Sequence, residues 1–144
     1  MKVLVVDDDR LVRLLLRKIL GQEPDLEVTE AGNGVEAWQL IQQGLHPELC
    51  ILDTMMPEMD GIGLLQRMRA DRRFSHLKVV MCTAVNERSR VIEAQSLDVD
   101  AYLLKPLIPA KILAEIRRIL GRQTPNQTTN SRAELYQKVI SNLV

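Results

Sequence analysis

Short continuous apolar runs alternate along the chain with longer stretches whose apolar residues recur at helical spacing. Val3–Val6, Leu49–Leu52, Lys78–Cys82 and Ala101–Leu104 read as strands of the kind buried on both sides, and Glu27–Ala31 as a weaker strand. The stretches between them read as helices. Leu11–Leu20 repeats apolar residues at Leu11, Leu14, Leu15 and Ile19 and stops at Gly21. Gly34–Gln43 turns Val35, Ala37, Trp38 and Ile41 inward. Asp60-Gly61 opens a helix to about Ala70, with Ile62, Leu64, Leu65 and Met68 as its apolar side. Asn86–Ser96 is a weaker, charged helix, and Pro109 suits the first turn of a helix running to about Leu120. Five strands alternating with five helices predict an α/β fold, a doubly wound five-stranded parallel sheet covered on both faces.

The alternation breaks at Gly121–Asn130, a stretch with no apolar residue that reads as a linker. This divides the chain into a domain over 1–121, a linker over 122–130 and a short helix over 131–144. Ser131-Arg132-Ala133-Glu134 has capping-box spacing, and Leu135, Val139 and Leu143 follow at four-residue intervals with Ile140 beside them. The stripe needs a surface: the helix docks on the domain, pairs two chains, or begins an output domain. Nineteen basic and nineteen acidic residues cancel, which gives no electrostatic reason to expect direct nucleic-acid or membrane binding. Only four aromatic residues are present, too few for base-stacking platforms. Six residues before the first aspartate are too few for a signal-peptide core, no apolar run reaches spanning length, and two cysteines make no disulfide framework. A cytoplasmic location is expected.

The chemistry gathers at strand ends. Asp7, Asp8 and Asp9 follow the first strand, Asp53 ends the third, Thr83 ends the fourth, and Lys105 ends the fifth. In an open parallel sheet, function collects at the carboxyl edge where neighbouring connections diverge; for the order 2-1-3-4-5 that point lies between the first and third strands. Carboxylates at close range resist ionisation unless a cation joins them. A partly hydrated all-oxygen site of this kind suits Mg²⁺. With the metal, Asp53 can attack a phosphoryl group and become an aspartyl phosphate, while Lys105 and Thr83 hold its oxygens. Asp9 and Asp60 read as helix caps, and Asp25, Asp71, Asp98 and Asp100 as solvated loop or helix-end residues.

The chain resembles the receiver domain of two-component response regulators over about residues 1–121. The likeness is carried by Val-Leu-Val-Val-Asp-Asp-Asp at 3–9, Ile-Leu-Asp-Thr-Met-Met-Pro-Glu-Met-Asp-Gly at 51–61, Val-Val-Met-Cys-Thr-Ala at 79–84 and Asp-Ala-Tyr-Leu-Leu-Lys-Pro at 100–106. The resemblance implies a non-enzymatic phosphoacceptor that catalyses only its own phosphorylation and dephosphorylation. Asp53 would accept phosphate from a sensor histidine kinase or a histidine phosphotransfer protein. Asp8 would ligate Mg²⁺ directly, Asp7 mainly through water, and Met55 through its backbone carbonyl. Thr83, Ala84 and Lys105 would hold the phosphoryl group, and Tyr102 would turn inward as Thr83 moves. The Lys105-Pro106 bond would be cis. The readout would be the face of the fourth helix, fifth strand and fifth helix, controlling partner binding or homodimerisation; the C-terminal helix is a second route to a dimer.

Ser96-Leu97-Asp98-Val99-Asp100 departs from the Gly-Ala-type turn usual before the tyrosine. Apolar Met55 and Val85 would flank the site and slow hydrolysis of the acyl phosphate. Cys50 and Cys82 read as buried thiols, Trp38 as packing, and His46 and His76 as surface residues. Arg10, Arg13, Arg17 and Lys18 read as a solvated face or a kinase-docking one. Two other functions compete. A haloacid-dehalogenase-like Mg²⁺-dependent phosphatase also uses an aspartyl phosphate, but Arg10-Leu11 fits its motif poorly. A non-phosphorylated interaction module would not need the complete acid set. Flavin phosphate would be repelled by three aspartates.

Overall fold

A computed structural model describes residues 1–84, 92, 95–122 and 139–141. The strands are β1 (Lys2–Val6), β2 (Glu27–Ala31), β3 (Leu49–Asp53), β4 (Lys78–Thr83) and β5 (Ala101–Leu104). They form one sheet of order β2-β1-β3-β4-β5 with every neighbouring pair parallel. The helices with bounds among the described residues are α1 (Arg10–Leu20), α2 (Gly34–Gln42), α3 (Gly61–Arg69) and, after a 3₁₀ turn at Arg72–Phe74, α5 (Pro109–Ile119); the label α4 belongs to the helix the sequence predicts between β4 and β5. For α4, expected over 86–96, Ile92 and Gln95 are the residues described as helical.

All five residues of β3 are buried, which is why its sequence runs apolar without alternation. Two clusters cover the sheet. One holds α2 and α3 through Ala37, Ile41, Ile62, Leu65 and Met68 and reaches Tyr102; the other holds α1 and α5 through Leu16, Ile19, Ile112 and Ile116.

α1 is rotated from its expected phase. Leu16, Ile19 and Leu20 are buried and Val12 and Leu15 half-buried, while Leu11 and Leu14 are 74% and 48% exposed. The set 12, 15, 16, 19, 20 follows the helical repeat, and Leu11 and Leu14 fall outside its arc. Val35 and Trp38 on α2 are half-buried, and the Arg67 guanidinium lies 5.9 Å over the Trp38 ring.

Several aspartates expected in solvent have partners. Asp100 Oδ2 accepts from the Val79 N–H at 2.8 Å, Asp71 caps the 3₁₀ turn and pairs with Arg73, and Asp25 pairs with Arg122. Arg122, expected in the linker, is anchored to the domain through Glu23 at 2.7 Å. Residues 123–130 lie outside the described residues. Of the C-terminal helix expected over 131–144, the described residues are Val139, Ile140 and Ser141. They are helical, and Val139 is buried in the cluster that contains Tyr102, with Ile140 packed against it.

Candidate functional site

The register of the sheet assembles the site. Val6 pairs with Leu52, Asp53 with Cys82, and Thr83 with Leu104. The residue one step beyond each of Val6, Leu52, Cys82 and Leu104 is therefore Asp7, Asp53, Thr83 or Lys105, all at the carboxyl edge. Asp9 lets the chain leave β1 without blocking the edge: its Oδ1 caps α1 by accepting from the Leu11 N–H at 2.8 Å. Asp60 caps α3 in the same way through the Gly63 N–H at 2.8 Å.

Carboxylate oxygens of Asp7, Asp8 and Asp53 lie within 4.8 Å of one another. Asp7 and Asp53 are buried and Asp8 is exposed, so the group opens to water on one side. Lys105 Nζ sits between the buried pair, 3.3 Å from Asp7 Oδ2 and 3.2 Å from Asp53 Oδ1. Asp7 Oδ1 accepts from the Asp9 N–H at 2.8 Å, whereas Asp7 Oδ2 is buried with no hydrogen-bond partner. The Met55 N–H lies 3.4 Å from Asp53 Oδ1, and the Met55 side chain is 51% exposed. Val85 lies outside the described residues.

Magnitudes show what is missing. At an effective dielectric of about 20, a pair 3.2 Å apart attracts by about 5 kcal/mol, and two carboxylates 4.8 Å apart repel by about 3.5 kcal/mol. One ammonium against three carboxylates leaves two negative charges uncompensated. Burial first, and the Asp7 charge second, push Asp53 up to about 7. Burial likewise raises Asp7. Burial works against the charge on Lys105, but Asp7 and Asp53 outweigh it and its pKa is raised. The buried Asp7 Oδ2, which has its ion pair with Lys105 but no further hydrogen bond, the all-oxygen donor set and the residual charge fit a hydrated divalent cation of the Mg²⁺ type.

The Thr83 hydroxyl is buried and donates to the Ala84 carbonyl at 3.3 Å. Tyr102 is 8% exposed and belongs to the core cluster that also holds Val139. Lys105-Pro106 is cis.

A profile of the response regulator receiver domain matches residues 3–117. The chain belongs to the response regulator receiver family. It is 35% identical over 121 residues to the chemotaxis protein CheY1 of Helicobacter pylori J99, covering 84% of this chain and 98% of that protein. The response regulator Rre1 of Synechocystis is 37% identical over 141 residues, which take in 95% of this chain and 61% of Rre1. Among solved structures, the REC domain of AraT, a response regulator from Geobacillus stearothermophilus, matches with a TM-score of 0.71 at 32% identity, over 84% of this chain and 95% of that one. This receiver is accordingly a module of two-component signalling. No described helix is long and apolar enough to cross a membrane.

The roles of four residues at and around the receiver site escape sequence reasoning. Thr54 is fully buried and locks the end of β3 to β4, its N–H and hydroxyl reaching the Cys82 carbonyl at 3.0 and 3.2 Å. Gly61 lies so close to Asp53 that a Cβ there would stand 2.0 Å from the Asp53 carbonyl oxygen. The Asp-Gly pair signals a helix start, but only the fold reveals this approach. Arg13 and Arg17, read as a solvated or docking face, are both taken up by Glu30 on β2, at 3.3 and 2.7 Å.

Proposed function

We propose that this receiver takes a phosphoryl group onto Asp53 from the phosphohistidine of a sensor histidine kinase or a histidine phosphotransfer protein, with Mg²⁺ bound. The modified state then changes how the face of α4, β5 and α5 meets a partner or a second copy. The observation that carries this reading is the convergence of Asp7, Asp8 and Asp53 within 4.8 Å, with one ammonium shared by Asp7 and Asp53.

Asp8 and Asp53 would hold the metal directly, Asp7 mainly through water, and Met55 through its carbonyl. A metal held there would supply the positive charge that offsets the residual carboxylate charge and that of the transferring oxygens. Asp53 then offers an ionised oxygen in line with the phosphorus. An O–P bond forms as the P–N bond to the donor imidazole breaks; the electron pair returns to the imidazole, which takes up a proton from solvent. Lys105 exchanges its contact with Asp53 for one to a phosphoryl oxygen. Thr83 turns its hydroxyl from the Ala84 carbonyl toward another, and the Ala84 N–H would serve as a further donor. The space Thr83 leaves would let the Tyr102 ring turn inward, which links the acceptor to β5 and its neighbours.

The rim of the site supports a protein donor. Leu11 and Leu14 on α1, Met55 after β3 and Ile108 before α5 are exposed apolar residues at or near the carboxyl edge. Exposed Arg10 and Lys18 remain for polar contacts on α1.

The test is incubation with acetyl phosphate and Mg²⁺ followed by intact-mass measurement. Wild type should gain one phosphoryl group, and Asp53→Asn none. Equal uptake by both proteins would refute Asp53 as the acceptor.

A further inference from the structure

We propose that Arg13 is a positioning residue for the acidic site, acting through the peptide that joins Asp7 to Asp8. The inference rests on the Mg²⁺ reading above. Arg13 stands in the first turns of α1, and its side chain is only 19% exposed. Nη1 donates to the main-chain carbonyl of Asp7 at 2.7 Å, and Nε pairs with Glu30 Oε1 at 3.3 Å. Glu30 belongs to β2, whose Ala31 carbonyl accepts from the Asp7 N–H at 3.2 Å. The Asp7 backbone is thus held through its N–H by β2 and through its carbonyl by α1.

That carbonyl belongs to the planar Asp7–Asp8 peptide. Pinning it fixes ψ of Asp7 and φ of Asp8 together, and so sets the directions in which both carboxylates leave the chain. Asp8 is the exposed member of the set, and its aim depends on this peptide. A guanidinium suits the task because its rigid fork spans the Asp7 carbonyl and the Glu30 carboxylate at once, and a charge-assisted bond to a carbonyl is stronger than a neutral one.

Arg17 supplies an internal control. It pairs with the other oxygen of Glu30, Oε2, at 2.7 Å and reaches the Val28 carbonyl rather than that of Asp7. The two arginines share a helix, a charge and a partner, but differ in the contact to the acidic turn. Charge alone gives the opposite sign. Removing a cation from beside an acidic site strengthens its attraction for Mg²⁺, so weaker binding diagnoses lost positioning.

The experiment is a calorimetric Mg²⁺ titration of the full chain, with amide shifts of Asp7–Asp9 followed by NMR and melting temperatures taken without metal. Arg13→Met should weaken Mg²⁺ binding by about tenfold, the low end for loss of a group that orients metal ligands, whereas Arg17→Met should stay within about twofold. Arg13→Lys should recover part of the loss. Should Arg13→Met fold poorly, Arg13→Gln keeps a polar side chain at the position, and should weaken binding in the same direction, again against the sign that charge alone gives. Arg13→Met binding Mg²⁺ like wild type, with only a lower melting temperature, would leave a purely structural role and overturn the proposal, as would equal losses in the two arginine variants. Wild type failing to bind Mg²⁺ at all would instead bring down the metal reading itself.

Discussion

Without metal, the acceptor carboxylate should be a liability to its own fold, and replacing it should stabilise the protein. Asp53 is 4% exposed and sits at about 7 against an ordinary 3.8, with burial and Asp7 as the leading causes. A gap of about 3 units corresponds to about 4 kcal/mol at 1.36 kcal/mol per unit. The site opens to water beside Asp8 and is shared with Lys105, and an effective dielectric nearer 20 than 4 brings the usable figure to roughly 2 kcal/mol. Because the folded value lies above the unfolded one, the native state holds the extra proton between 3.8 and about 7. Stability of the metal-free protein therefore falls as pH rises through that window and is lowest above it. Burial raises Asp7 in the same direction and adds to the slope. Asp53→Asn removes its own share of the slope and relieves Asp7. Above pH 7, in chelator, the variant should be more stable by roughly 2 kcal/mol, or about 6 °C for a domain of this size. Adding Mg²⁺ should reverse the order, since the metal stabilises the wild type through binding to the native state and the variant offers it a poorer site. Urea and thermal melts over a pH series, with chelator and with Mg²⁺, measure both effects. A variant no more stable than wild type in chelator, or a wild type that gains stability as pH rises through the window, would refute the electrostatic account.

Three further outcomes are expected. Gly61→Ala should cost about 3 kcal/mol or more in urea unfolding, because the new Cβ meets the Asp53 carbonyl oxygen at 2.0 Å and backbone must move; acyl-phosphate formation should fall with it. Glu58 is exposed and has φ 68°, where an L side chain costs about 1 kcal/mol. Glu58→Gly should gain about 0.5 kcal/mol net of the unfolded-state entropy glycine adds, and a loss of stability would contradict the strain argument. Val139→Asp places a charge where Val139 is 8% exposed; it should lower the melting temperature by several degrees and speed hydrogen exchange at 139–141, and unchanged exchange would show that this residue does not hold the segment on the domain.

What could be read from the chain divides by the range of the interaction that fixes it. Strands buried on both faces announce themselves because no polar residue is tolerated on either side, as in β3. The strand ends then carry the site almost unaided, since register alone brings Asp7, Asp53, Thr83 and Lys105 to one edge. α1 resists the same treatment: Leu11, Val12, Leu14, Leu15, Leu16, Ile19 and Leu20 fill most of its arc, so periodicity alone cannot choose the buried face. Packing against α5 chooses it, leaving Leu11 and Leu14 at the rim, where a partner rather than a core can use them.

The supports of the site are harder still, because each depends on side-chain reach across distant segments. Arg13 meets Glu30 across seventeen residues and Arg122 meets Glu23 across ninety-nine. No local spacing marks either pair, and a basic residue on a helix reads as solvated until the strand beside it is placed. Gly61 is an intermediate case: the sequence offers a helix start, and only the returning end of β3 turns its missing Cβ into a requirement. Acids at strand ends therefore identify a candidate site, while the groups that aim those acids emerge only with the three-dimensional fold. Function can fail at either level. Loss of Asp53 would remove the proposed acceptor itself, whereas loss of Arg13 or Gly61 would leave every carboxylate present and disturb only its direction or position.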